Sequence, residues 1–191
     1  MSNKVSLRKS KIQQRNQLSQ EDIRLWENKI LLHFSNFLSK KNLRRVSVYL
    51  DINNEVPTKK IIRAIFNLEI ECYVPVINKN LQNKKMTFSE YNSKSHLKKN
   101  KFGIQEPLNN SKTQGSELDL VIMPLVAFDN LGYRLGMGKG YYDFTFSNSI
   151  ANKPLLIGLS YDFQEVDSCY SEDHDIRMDA LISPSGIRQF I

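Results

Sequence analysis

Residues 118–123 read LDLVIM, an almost unbroken apolar run that stops at Pro124. A strand with one wet face alternates apolar and polar residues, whereas a run like this suits a strand covered on both faces. Parallel strands need crossover connections long enough to hold helices, so the segment points to an α/β chain. The flanking sequence supplies such units. Residues 46–50 (VSVYL) are short and β-branched, and they end at the turn-forming Asp51-Ile52-Asn53-Asn54. Pro57 and Thr58 open a helix through Ile61, Ile62, Ile65 and Phe66, and residues 72–77 read as the next strand. Residues 155–159 and 180–182 are further strand candidates. The expected architecture is a three-layer α/β fold, an open, mostly parallel sheet with helices on both faces. Its 191 residues, 40% of them hydrophobic, are expected to form one domain over 1–191.

Residues 19–39 place Ile23, Trp26, Ile30, Phe34, Phe37 and Leu38 at three- and four-residue steps, the pattern of one helical face, with Ser19 and Asp22 as an N-cap start. A shorter helix is expected over 5–14, where Leu7 and Ile12 sit among Lys, Arg and Gln; its exposed face should be strongly basic. Residues 78–91 read as a hairpin or insert. The basic run 94–101 (KSHLKKNK) reads as a solvated segment, and 100–115 as an irregular connection with Gly103, Pro107 and the pair Asn109-Asn110.

No stretch nears the roughly 18 uninterrupted apolar residues of a membrane-spanning helix, and the first residues (MSNKVSLRKSKIQQRNQ) are polar. A cytoplasmic protein without membrane attachment is expected. Cys72 and Cys169 lie far apart with no C-x-x-C or Cys/His cluster, so they read as buried thiols. The formal charge of +7 favours an anionic partner, which could be nucleic acid, an acidic membrane surface or a small polyanion.

The distinctive chemistry lies in residues 124–143, PLVAFDNLGYRLGMGKGYYD, between a buried strand and the next helix. Open α/β sheets bind ligands at such strand ends. Gly136, Gly138 and Gly140 alternate with Met137 and Lys139, which lets the backbone turn tightly and bring N–H groups to a phosphate without Cβ obstruction. Arg134 and Lys139 would add positive charge. The loop is not a Walker A sequence, because Gly140 follows Lys139 where Ser or Thr should stand; nor is it a dinucleotide fingerprint, because Tyr141 replaces the third glycine. A phosphate cradle and a tight surface turn both fit it. Asp143, at the head of a helix, also complements the helix dipole.

Taken whole, PLVAFD followed by RLGMGKGYYD resembles the signature of the 5-formyltetrahydrofolate cyclo-ligases, also called methenyltetrahydrofolate synthetases. The likeness extends along nearly the whole chain. Lys4-Val5-Ser6-Leu7-Arg8 is similar to the family's K-x-x-L-R, NNEVPT to its one-Glu loop, Gly103-Ile104-Gln105-Glu106-Pro107 to its G-I-x-E-P, and residues 174–179 (HDIRMD) to its C-terminal aspartate pattern.

The resemblance implies roles. Residues Lys4, Val5, Ser6, Leu7 and Arg8, with Arg134, Leu135, Gly136, Met137, Gly138, Lys139, Gly140, Tyr141 and Tyr142, would bind ATP. Arg8, Glu55, Met137, Gly138, Lys139, Gly140 and Tyr141 would border the folate, with the Glu55 carboxylate accepting pterin N–H groups. Asp143 and Asp175 would hold Mg2+, which commonly needs one or two carboxylates beside nucleotide phosphates; Asp179 would be a supporting partner at most, and His174 a spacer. Lys139 and Arg134 would be the catalytic cations. The implied reaction phosphorylates the formyl oxygen with ATP and then closes the ring, so alignment and charge neutralisation suffice and no nucleophilic Ser or Cys is required. Partners would be 5-formyltetrahydrofolate and ATP, with no nucleic acid, and the chain would be a monomer. Two other readings are a basic nucleic-acid-binding domain and a related sheet enzyme acting on phosphosugars or CoA esters.

Overall fold

A computed structural model describes residues 3–78, 85–101, 103–108, 111–147 and 153–190. The chain begins with two helices, α1 (Asn3–Asn16) and α2 (Gln20–Leu38). The Ser19 hydroxyl caps α2 by accepting from the Asp22 amide at 3.0 Å, and the helix buries Ile23, Ile30, Phe34, Phe37 and Leu38. Strand β1 (Arg45–Ser47), helix α3 (Lys59–Asn67) and strand β2 (Glu71–Val76) form the first crossover, and β1 pairs with β2 in parallel. Thereafter come β3 (Thr87–Glu90), β4 (Leu97–Lys99), β5 (Gln105–Pro107), β6 (Lys112–Thr113), β7 (Leu120–Met123), β8 (Ala127–Phe128) and β9 (Arg134–Leu135). Helix α4 (Tyr141–Thr145) and strands β10 (Leu155–Leu159), β11 (Ala180–Ser183) and β12 (Gly186–Gln189) follow.

One eight-stranded sheet has the order β12-β11-β10-β7-β1-β2-β3-β6. Its centre, from β11 to β2, is parallel, and the outer strands β12, β3 and β6 are antiparallel. The apolar run singled out in the sequence is the middle strand β7, buried at all four positions. Its side chains divide between two cores. Leu120 and Ile122 pack with α2 and α3 residues, while Val121 and Met123 join Leu125, Phe128, Phe146, Ile176 and Met178 on the opposite face. That second face is covered by the short α4 and by loops. Among the described residues no helix is long and apolar enough to cross a membrane. Cys72 and Cys169 are both buried free thiols, pushed up to about 12 chiefly by that burial.

Gly158 in β10 faces the second core. A Cβ there would lie 2.4 Å from Met178 Sδ, 2.8 Å from Leu125 Cδ2 and 3.0 Å from Leu181 Cδ1. Gly158→Ala should therefore lower stability by about 1–3 kcal/mol through overpacking, read as a fall in the denaturation midpoint at unchanged slope.

Three expectations need correction. Strand β1 ends at Ser47 rather than at residue 50, because the Tyr49 carbonyl accepts from Thr58 Oγ1 at 2.8 Å and the Tyr49 hydroxyl donates to the Val56 carbonyl at 2.9 Å. These bonds fold the segment onto its own loop. The basic run 94–101 and the connection after it are not irregular throughout: β4 and β5 form a hairpin whose Lys98 and Lys99 are exposed. Glu106 ties it to β2 by accepting from the Ile77 amide at 2.9 Å and Asn100 Nδ2 at 2.8 Å. Residues 79–84, 102 and the pair 109–110, which belong to the expected insert and connection, lie outside the described residues. The third correction concerns α1.

Candidate active site

Helix α1 lays Lys4, Leu7, Arg8, Lys11, Ile12 and Arg15 against the body of the protein, three and four residues apart, and exposes Lys9 as the sole basic residue of its outer face. The outward face is thus not the basic one. Leu7 anchors the helix on Ala127, Leu135 and Cys169, and the four inward cations are each given an acceptor. Lys4 Nζ meets Glu172 Oε1 at 2.8 Å and Asp175 Oδ2 at 3.0 Å. Arg8 Nε donates to the Gly136 carbonyl at 2.8 Å, Lys11 to the carbonyls of Phe163 and Glu165, and Arg15 Nη1 to the Leu125 carbonyl at 3.5 Å. Arg8, Lys11 and Arg15 therefore enter the interface opposite carbonyl dipoles rather than carboxylates. Burial pushes Arg8 and Lys11 below their ordinary values, the sign of positive charge compensated incompletely.

The glycine-rich loop lies against this stripe. Gly138 (φ +85°) and Gly140 (φ +70°) adopt the left-handed conformation that favours glycine. The Arg8 guanidinium sits 3.4 Å from where a Cβ of Gly138 would stand. Gly136 is different: a Cβ there would meet nothing within 4 Å, so the loop backbone is approachable at that residue. Lys139 is exposed and forms no ion pair among the described residues, and Met137 is half exposed. Leu135 is buried where β9 pairs antiparallel with β8, opposite Ala127; Tyr141 and Tyr142 pack on the second core, and Val5 and Ser6 face outward.

Two distant carboxylates meet beside the loop. Asp143 Oδ1 accepts from Arg134 Nη2 at 3.1 Å and from the Ile176 amide at 3.2 Å, which brings it next to Asp175. Arg134 is nearly enclosed, its other nitrogen donating to the Ile176 carbonyl at 3.0 Å and its guanidinium lying 5.7 Å from the Tyr142 ring centre. Burial raises Asp175, but the Glu172 amide and the Lys4 ammonium outweigh it and hold the carboxyl below its ordinary value. Asp143 Oδ2 and Asp175 Oδ1 accept no hydrogen bond among the described residues. Asp179 is engaged elsewhere, accepting from the Leu156 amide at 2.7 Å at the start of β10. His174 is exposed.

Glu55 reaches the site from the loop after β1. Asn53 (φ 50°) and Asn54 (φ 59°) are both left-handed, a conformation asparagine tolerates better than most side chains, and the resulting turn sends Glu55 inward. Its Oε2 accepts from the Ile52 amide at 3.1 Å. Burial raises the carboxyl to about 7, against the opposing pull of the Ile52 amide and the Arg15 charge. Burial, and after it the Glu55 charge, pushes the Tyr142 phenol upward.

The sequence-derived set is thus largely gathered: Lys4, Arg8, the 134–142 loop, Asp143 and Asp175 form one connected cluster, with Glu55 at its border. Val5, Ser6 and Asp179 stand apart from it. Sequence reasoning missed Lys11 and Arg15, although both fall on the helical face marked by Leu7 and Ile12.

Known proteins resemble this chain along most of its length. The family model described as "5-formyltetrahydrofolate cyclo-ligase family" matches residues 1–184. The 5-formyltetrahydrofolate cyclo-ligase of Haemophilus influenzae is 32% identical over 152 residues, covering 78% of this chain and 81% of that protein. That of Escherichia coli is 34% identical over 144 residues, covering 74% and 79%. The solved structure of Aquifex aeolicus 5,10-methenyltetrahydrofolate synthetase superposes with a TM-score of 0.83 at 28% identity, covering 99% of this chain and 93% of that one. The family match runs from the first helix through β11 and includes every residue of the cluster, and the chain belongs to the 5-formyltetrahydrofolate cyclo-ligase family.

Proposed function

We propose that this chain uses ATP to close 5-formyltetrahydrofolate into 5,10-methenyltetrahydrofolate, releasing ADP and phosphate. The observation that carries the reading is the seating of the glycine loop on a helix whose inward Lys4, Arg8 and Lys11 outnumber the carboxylates offered to them. A polyanion laid on that loop would find fixed positive charge, an approachable backbone at Gly136 and the unpaired Lys139. The formyl oxygen attacks the γ-phosphorus and ADP leaves; N10 then attacks the activated carbon, loses its proton, and the C–O bond breaks to free phosphate. An amide oxygen is a poor leaving group until phosphorylated. Lys139 neutralises developing charge on the transferred group, Arg8 fixes the loop from α1, and Arg134 orients Asp143 while adding charge beside the nucleotide. The Glu55 carboxylate receives the pterin N–H groups, with Met137 to Tyr141 bordering the folate. The reading takes residues 1–191 as one domain, acting as a monomer in the cytoplasm.

The donor set suits Mg2+. Among the described residues no group of three or more His, Cys, Asp or Glu side chains could hold a metal, but the adjacent Asp143 and Asp175 each keep an oxygen without a hydrogen bond, and Mg2+ takes one or two carboxylates with phosphates and waters. Bound there, it would neutralise phosphate charge.

The test mixes enzyme, 5-formyltetrahydrofolate, ATP and Mg2+, omits each in turn, and follows methenyltetrahydrofolate absorbance. Product formed without ATP would overturn the reading. In the same assay, Asp143→Asn and Asp175→Asn should each raise the Mg2+ needed for half-maximal rate by about tenfold or more, since loss of outer partners alone costs metal sites about 10- to 100-fold. Because both would serve one ion, the double variant should lose less than the product of the single losses. Multiplicative losses at unaltered Mg2+ dependence would remove the shared metal.

A further inference from the structure

Arg15 is 1% exposed, and its Nε and Nη2 have no hydrogen-bond partner among the described residues. Its single contact, Nη1 to the Leu125 carbonyl at 3.5 Å, is long, and Gln164 Nε2 already serves that carbonyl at 3.1 Å. A guanidinium used only to hold a carbonyl would not need to be sealed away with two donors unmet; such burial is destabilising, and an isosteric apolar side chain would avoid it. The surroundings say what the charge faces. Asn16, next along α1, accepts from Asn54 Nδ2 at 3.4 Å, and the Tyr161 hydroxyl donates to the Glu55 carbonyl at 3.5 Å. The end of α1, the 51–56 loop and the segment after β10 thus close around Glu55, itself 9% exposed. No ion pair joins Arg15 to Glu55, so the guanidinium acts on the carboxylate through the low-dielectric interior rather than by contact, and Oε1 keeps no hydrogen bond among the described residues while Oε2 accepts from the Ile52 amide.

We propose that Arg15 is a positioning residue for the folate subsite: its buried guanidinium favours the carboxylate form of Glu55 that receives the pterin N–H groups. The proposal rests on the folate reading of Glu55 given above. Besides Arg15, the groups facing Glu55 are Asp51 and Tyr49 on its own loop, Tyr161 after β10 and Tyr142 at the head of α4. Burial raises all three phenols, which stay neutral across the range that matters. Asp51 opposes the Glu55 charge, and Arg15 is the positive group that favours it.

The experiment measures 5-formyltetrahydrofolate binding by calorimetry from pH 6 to pH 8.5, without ATP, on full-length wild type, Arg15→Met, Arg15→Lys, Glu55→Gln and the Arg15→Met/Glu55→Gln double variant. Wild-type affinity should rise with pH through about 7, where Glu55 loses its proton. In Arg15→Met that midpoint should move up by about one pH unit, which weakens folate binding at pH 7 by about fivefold, while ATP affinity stays within about twofold of wild type. Arg15→Lys should restore most of the loss, and in the Glu55→Gln background Arg15→Met should change nothing further. If Arg15→Met fails to fold, Arg15→Gln, which retains a donor for the Leu125 carbonyl, provides the uncharged arm. An unmoved midpoint in a folded uncharged variant overturns the Arg15 proposal alone. Wild-type folate affinity in Glu55→Gln overturns the folate reading of Glu55 and the proposal with it.

Discussion

Lys139→Ala should lower kcat/KM by roughly 30- to 1,000-fold, the loss of about 2–4 kcal/mol seen when one preorganised donor to developing charge is removed. Stability should hardly change. The side chain is exposed and has no ion-pair partner among the described residues, so truncation opens no cavity and strands no buried group; such surface changes are usually within about 0.5 kcal/mol. Lys139→Arg should recover only part of the rate, because a planar fork replaces a compact ammonium on a backbone held by left-handed Gly138 and Gly140. The informative pair of measurements is kcat/KM and a thermal melt on the same preparation. A folded Lys139→Ala protein with unaltered kcat/KM would take Lys139 out of the site, and a large fall in melting temperature would reassign it to the scaffold.

The parallel centre of the sheet was legible because its strands are buried on both faces, and that leaves a direct trace in composition: Leu120, Val121, Ile122 and Met123 are all apolar, although they feed two different cores. Where local rather than periodic chemistry decides, the trace fades. Tyr49 and Leu50 look like strand, yet hydrogen bonds to Thr58 and Val56 bend the chain away after Ser47. The β4–β5 hairpin is held by Glu106 and by backbone pairing, and its Lys-rich side chains carry no burial pattern to read.

For the site, the glycine loop and Asp143 were visible as residue types at a telling spacing. The pairing of Asp143 with Asp175 came only from the family resemblance and not from spacing, since an amide 33 residues away makes it. Lys11 and Arg15 were missed, and the outer face of α1 was expected to be basic, for a different reason. Their spacing puts them with Leu7 and Ile12, but charged side chains sit outside by default, and periodicity alone does not reveal that a helix turns its cations inward. Arg8, Lys11 and Arg15 weaken the case for a basic nucleic-acid surface, because charge turned onto the Gly136, Leu125, Phe163 and Glu165 carbonyls is withdrawn from solvent.

Glu55→Gln should damage function and strengthen the fold at the same time, with the two effects separated by pH. In the wild type, burial raises the carboxyl from 4.5 to about 7. A carboxyl raised on folding contributes fully below its unfolded value, and the contribution is lost as pH rises through the folded one, so near pH 8 the buried charge costs the ligand-free protein about 3 kcal/mol. Glutamine keeps the shape, its carbonyl can still accept from the Ile52 amide, and it has no charge to bury. Glu55→Gln should therefore match wild type near pH 4.5 and exceed it above pH 7 by up to about 3 kcal/mol, a rise of about 5–10 °C in Tm for a chain of this size. Folate binding should move the other way. A glutamine NH2 set against a pterin N–H leaves two donors facing each other and one acceptor missing, a loss of about 1–3 kcal/mol or more, with ATP affinity unchanged. Thermal melts of both proteins from pH 4.5 to pH 8.5, paired with folate and ATP titrations, decide the matter. A stability difference that does not grow with pH would show that Glu55 is not an expensively buried carboxylate, and equal losses for folate and ATP would show that it serves the fold rather than the pterin.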